Sequence, residues 1–105
     1  MIYEVIISDK AAVDLRNIYE YIAFTLESAE NAKNQLNRIE KCIYALEQFP
    51  ERFRLYYQEP WLSRNTRVVP VDNYLVFYIP NPNKKTVTII RILYGSRDID
   101  KELNK

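Results

Sequence analysis

The chain of 105 residues has no histidine, one cysteine and one glycine. Without histidine, no side chain has an ordinary pKa near neutrality. General acid–base chemistry would need a shifted carboxylate, lysine or tyrosine. The single thiol, Cys42, excludes an intramolecular disulfide and any multi-cysteine metal site. Its place in a helical pattern suits a small apolar filler of the core. A lone glycine, Gly95, rules out a Gly-rich phosphate loop. No credible set of metal ligands remains, so neither a metal nor another cofactor is expected. No apolar run approaches the roughly 20 residues that cross a bilayer, and no basic region followed by an apolar one opens the chain. The expectation is a cytoplasmic protein that does not engage a membrane.

Net charge is also scarce, at +1. That falls short of the basicity of a dedicated nucleic-acid-binding domain. The balance hides an asymmetry: residues 1–50 carry 5 basic and 8 acidic side chains, whereas residues 51–105 carry 10 and 6. The basic half suits phosphate or an acidic partner.

What is present organises itself by period. The length fits a single domain, residues 1–105, with one core. Met1 to Ile7 reads as a strand, and Ser8 or Asp9 can cap the helix after it. Ala11, Leu15, Ile18, Ile22 and Leu26 then recur at helical spacing as one buried stripe. After a second cap at Ser28, Ala32, Leu36, Ile39, Ile43 and Leu46 form another, which Pro50 ends. The short break at residues 26–28 makes the two helices a hairpin. A long aromatic connector follows, in which Phe53, Tyr57 and Trp61 are expected to close the open edge of the core. Thr66 to Val71, Tyr74 to Ile79 and Thr86 to Tyr94 read as strands, with a tight turn at Asp72-Asn73. Asp98 to Leu103 adds a final helical turn. The order β-α-α-β-β-β defines an α+β fold, a helical hairpin packed on a mainly antiparallel four-stranded sheet. The last two strands are apolar at both parities, so something must cover the second face of the sheet. A partner protein or a homodimer would meet that need.

By elimination, the chemistry rests on arginines and tyrosines: Arg67, Arg91 and Arg97, with Tyr74, Tyr78 and Tyr94. Arginine forks grip phosphate and tyrosine rings stack on bases. Arg91 interrupts an apolar strand, on the face of Ile89 and Leu93 if alternation is strict. Buried there, it needs an acidic partner, an open groove or a ligand. Tyr94 has the opposite parity and meets Arg91 only if a bulge or turn intervenes, for which Gly95 is a candidate. Arg97 either returns over the sheet or pairs with Asp98 or Asp100.

Four segments, in order, resemble one family. They are Asp14-Leu-Arg-Asn-Ile-Tyr-Glu-Tyr-Ile, Leu46-Glu-Gln-Phe-Pro-Glu-Arg-Phe-Arg, Arg67-Val-Val-Pro-Val-Asp-Asn-Tyr-Leu-Val-Phe-Tyr and Arg91-Ile-Leu-Tyr-Gly-Ser-Arg-Asp-Ile. Together they resemble the RelE/ParE superfamily of bacterial type II toxin–antitoxin toxins, over almost the whole chain. The resemblance implies a cytoplasmic toxin neutralised by a cognate antitoxin whose tail wraps it. RelE-like members cut mRNA on the ribosome with arginine, lysine, tyrosine or histidine and no metal; ParE-like members inhibit DNA gyrase. RelE-type nucleases often carry an arginine directly after the hairpin tyrosine, where this chain has Leu75 after Tyr74. The Phe-Pro-Glu-Arg and Tyr-Gly-Ser-Arg-Asp stretches look more like ParE. The resemblance therefore implies a gyrase inhibitor, with Tyr74, Tyr78, Arg91, Tyr94 and Arg97 contacting target or antitoxin. The alternatives are a ribosome-dependent mRNA endoribonuclease using Arg67, Arg91, Arg97 and Tyr94, and a non-toxic dimeric binding module.

Overall fold

The computed structural model describes residues 2–105. Strand β1, Glu4–Ile7, leads into helix α1, Asp9–Glu20, whose last turn loosens into a π-helical segment over Tyr21–Thr25. Helix α2 is Ala29–Ala45, and a short 3-10 turn follows at Pro50–Arg52. Strands β2, Arg67–Val71, β3, Tyr74–Asn81, and β4, Thr86–Tyr94, precede the final helix α3, Ile99–Leu103. The expected β1 was longer; Met1 lies outside the described residues, and pairing begins at Glu4.

Side chains set the helix starts. Ser8 accepts from the Ala11 N–H, Ser28 from the Asn31 N–H and Asp98 from the Lys101 N–H, each satisfying a donor that a helix N-terminus leaves free. The sheet order is β1-β4-β3-β2, antiparallel except for the parallel pair β1–β4. On one face, Ala11, Ile18, Ile22, Ala32, Ile39, Ile43 and Leu46 of the helical hairpin pack on Val69, Val76, Tyr78, Val87, Ile89 and Ile92. Both helical stripes are thus core, with one exception.

Leu26 is 56% exposed. The π segment bonds the Leu26 N–H to the Tyr21 carbonyl, five residues back. Widening the turn rotates the stripe out of phase, and Glu27 then leaves the helix with φ 54°. The end of α2 also differs from expectation. It stops at Ala45, and Phe49 takes a left-handed conformation (φ 48°, ψ 55°) before Pro50 opens the 3-10 turn. Proline here starts a turn and does not end the helix.

The second face of the sheet is covered by the chain itself, where a partner was expected. Val68, Phe77, Leu93 and Leu103 form a second small core, joined by Tyr56 and Trp61 of the connector and Ile99 of α3. The Tyr56 ring meets Phe77 edge-on, 5.3 Å between centroids. Phe53 and Trp61 pack as expected, but Tyr57 is 70% exposed, and its neighbour Tyr56 does the covering. Next to Tyr56, Leu55 bridges to Arg67 at the edge of β2.

Strand β4 is bulged at Ile90: Phe77 faces Arg91, while Tyr78 faces Ile89. The extra residue changes the parity, so Ile89 packs under the helices and Leu93 on the opposite face. The break is therefore upstream of Arg91 and not at Gly95. Beyond Ile7, β1 no longer covers the edge of β4, and α1 takes over. Ser8 donates its N–H to the Ile89 carbonyl and its hydroxyl to the Ile90 carbonyl, and the Asp14 carboxylate accepts the Ile92 N–H at 2.9 Å.

Candidate functional site

Arg91 ends up tied inside the protein. Its guanidinium forks onto Asp14, Nε to Oδ2 at 2.8 Å and Nη2 to Oδ1 at 2.9 Å, and Nη1 donates to the Glu102 carbonyl at 2.8 Å. The side chains are 14% and 10% exposed. Of the three options the sequence left open, the acidic partner is the one realised, and it comes from α1. The fork raises the Arg91 pKa further, so the guanidinium stays charged. The same carboxylate holds Ile92, so Asp14 joins α1, β4 and, through Arg91, α3.

Arg67 is likewise committed. Its Nη1 donates to the Glu51 carbonyl at 2.9 Å and the Phe53 carbonyl at 2.7 Å. Nη2 lies 3.4 Å from Asn65 Oδ1 and 3.7 Å from the Glu51 carboxylate. Tyr78 is fully buried, and its hydroxyl donates to the Pro50 carbonyl at 2.6 Å. Burial pushes that phenol well above its ordinary pKa. Both residues face the corner after α2 and fasten it to the sheet.

Tyr74, Tyr94 and Arg97 gather at the other end of the sheet. Tyr74 and Tyr94 are cross-strand partners whose rings meet edge-on at 5.6 Å. Burial raises the Tyr74 pKa first, the Tyr94 and Tyr21 phenols add to the rise, and the Arg97 charge opposes it. Tyr21, brought in by the π segment, is a member of this group that sequence reasoning missed. No local signal marks it, since the contact spans helix and sheet. Tyr94 is 42% exposed, Tyr21 54%. Arg97 is exposed and makes no ion pair among the described residues. Asp98 caps α3, and Asp100 accepts the Tyr56 hydroxyl. Arg91 and Tyr94 stay on opposite faces and do not converge.

The six candidates thus divide into three internal fasteners, Arg67, Tyr78 and Arg91, one buried core ring, Tyr74, and two outward residues, Tyr94 and Arg97. No group of histidine, cysteine and carboxylate able to hold a metal ion occurs among the described residues. No helix among them is long and apolar enough to cross a membrane.

A helical hairpin on a four-stranded sheet of this order is the architecture of RelE/ParE-like toxins. The chain is similar to a chromosomal ParDE toxin–antitoxin protein of P. aeruginosa, at 21% identity and TM-score 0.72 over 89% of this chain and 96% of that one. It is similar to the toxin–antitoxin complex RelBE2 of Mycobacterium tuberculosis, at 19% identity and TM-score 0.66 over 90% and 99%. A mutant E. coli RelE in the free state matches at 13% identity and TM-score 0.64, over 99% and 92%. These likenesses show the fold. Residues 5–99 match the ParE toxin of the type II toxin–antitoxin system parDE, and the chain belongs to that family. No curated protein matches it by sequence.

Proposed function

We propose that this chain is a toxin that inhibits DNA gyrase by binding it and is silenced by a cognate antitoxin, in line with the ParDE and RelBE toxin–antitoxin pairings of its structural neighbours. One observation carries the choice of target: two of the three arginines that a metal-free ribonuclease would need here are spent on structure. Arg91 is forked onto Asp14, and Arg67 is bonded to main-chain carbonyls. Metal-free phosphodiester cleavage needs cations aimed at the developing charge, and a guanidinium held inward by its own fold is poorly placed to supply one. The cytoplasm is the compartment in which such a toxin would meet gyrase.

The test is a supercoiling assay with purified gyrase and increasing toxin. Dose-dependent inhibition is expected, with accumulation of cleaved plasmid. Unchanged supercoiling at saturating toxin would remove the reading. A second reading, ribosome-dependent mRNA cleavage, rests on Arg97, which lies exposed beside Tyr74 and Tyr94 without an ion pair. Programmed ribosomes incubated with the toxin distinguish the two, because the gyrase reading expects intact mRNA.

A further inference from the structure

Phe49 is the one aromatic residue with a positive φ among the described residues. A bulky aromatic residue holds a left-handed backbone, φ 48° and ψ 55°, a conformation natural to glycine or asparagine. Its ring is 77% exposed, the most open large apolar side chain among those described. Neither local conformation nor burial favours phenylalanine here.

The corner that carries it is nonetheless held rigidly. Arg52 Nη1 donates to the carbonyls of Gln48 and Phe49, and the Arg52 N–H also bonds the Phe49 carbonyl. The Tyr78 hydroxyl takes the Pro50 carbonyl from beneath. Arg67 takes those of Glu51 and Phe53. Three side chains, from the 3-10 turn, β2 and β3, therefore brace the backbone on either side of a ring that touches little itself. Beside the ring lies an open depression of about 430 Å3 lined by Tyr3, Phe49, Pro50, Glu51 and Arg52. Glu51 and Arg52 give it a rim of both signs, which suits a protein surface better than a polyanion.

We infer that Phe49 is the anchor by which this chain grips a folded protein target. A strained, exposed aromatic on a braced corner has the character of a preorganised hot spot, ordered before binding. Because the ring stands out of the surface, its partner must supply a preformed hollow. The concave surface of a folded protein offers such a hollow. The inference rests on the reading above that the toxin acts by binding a protein, and it adds the place where it binds.

The experiment compares the full chain with Phe49→Asn and Phe49→Tyr. Asparagine tolerates the left-handed backbone, so Phe49→Asn should keep or raise the melting temperature. Inhibition of purified gyrase should weaken about 30-fold, the effect of losing a hot-spot side chain. Phe49→Tyr, which retains the ring, should stay within about 3-fold of wild type. Growth arrest on induction in cells should follow the same order. If Phe49→Asn inhibits gyrase and arrests growth like wild type, the anchor is overturned and the gyrase reading stands. If wild type arrests growth without touching gyrase while Phe49→Asn does not arrest, the anchor stands and the gyrase reading falls. A wild-type chain inactive in both assays removes both. Loss of antitoxin binding by Phe49→Asn, or conversion of a dimer to a monomer by light scattering, would give the corner to those partners and overturn the inference.

Discussion

Replacing Asp14 by alanine should be the most damaging single polar change in this protein. The side chain is 10% exposed and accepts two bonds from Arg91 and one from the Ile92 N–H. Its removal leaves the guanidinium with only the Glu102 carbonyl, in a site where Arg91 is itself 14% exposed. Breaking a buried pair from one side costs about 3–5 kcal/mol, because the remaining charge stays desolvated. The orphaned Ile92 N–H adds about 1 kcal/mol or more. Total stability for a domain of this size is about 5–15 kcal/mol, so Asp14→Ala should consume a large share of it. The melting temperature should fall by roughly 15–30 °C. The double variant Asp14→Leu/Arg91→Met removes both charges and should recover most of the loss, leaving chiefly the cost of the Ile92 N–H. Urea unfolding followed by circular dichroism measures all three proteins. A loss below about 1 kcal/mol for Asp14→Ala, or a loss that vanishes in molar salt as for a surface pair, would refute the reasoning. The folded double variant also separates roles: if Arg91 is a fastener, toxicity survives its replacement.

Tyr78→Phe removes the buried bond to the Pro50 carbonyl and should cost about 1–2 kcal/mol, read from the urea midpoint. Tyr56, pushed up to about 12 by burial and by its hydrogen bond to Asp100, should ionise late in an absorbance titration. The folded state holds that proton more tightly than the unfolded chain, where tyrosine ionises near 10. Its contribution is therefore complete below pH 10 and lost between pH 10 and about 12; an unchanged alkaline stability profile in Tyr56→Phe would contradict this. Gly95→Ala places a Cβ 3.3 Å from the Asn73 carbonyl, yet Gly95 does not hold a positive φ. Reduced freedom of the unfolded chain should offset the pinch and keep the change within about 1 kcal/mol. A loss above about 2 kcal/mol would show that the turn needs glycine.

Much of the architecture is legible because period and capping are local. The stripes Ala11–Ile22 and Ala32–Leu46, the caps Ser8 and Ser28, and strand β4 with the bounds Thr86–Tyr94 all follow from neighbours in the chain. Leu26 escapes this reading because a single wide turn shifts the phase, and no residue type announces it. The aromatic connector is legible as packed, but not which ring does the covering, Tyr56 and not Tyr57. Among the candidate site residues, the anomaly of Arg91 is plain in the sequence, as is its need for a counter-charge.

The sequence alone determines what chemistry is absent, the β-α-α-β-β-β order and the requirement that Arg91 be neutralised, since composition and period act within a few residues. Only the tertiary structure decides that the counter-charge is Asp14, 77 residues away, and that a bulge at Ile90 sends Ile89 and Leu93 to opposite faces of the sheet. It alone reveals that the second face of the sheet is closed from within by Tyr56, Trp61, Ile99 and Leu103. It also reveals Phe49, one aromatic among many in the sequence, standing exposed on a braced corner. Burial and backbone strain are properties of the assembled chain, set by contacts between elements far apart in sequence.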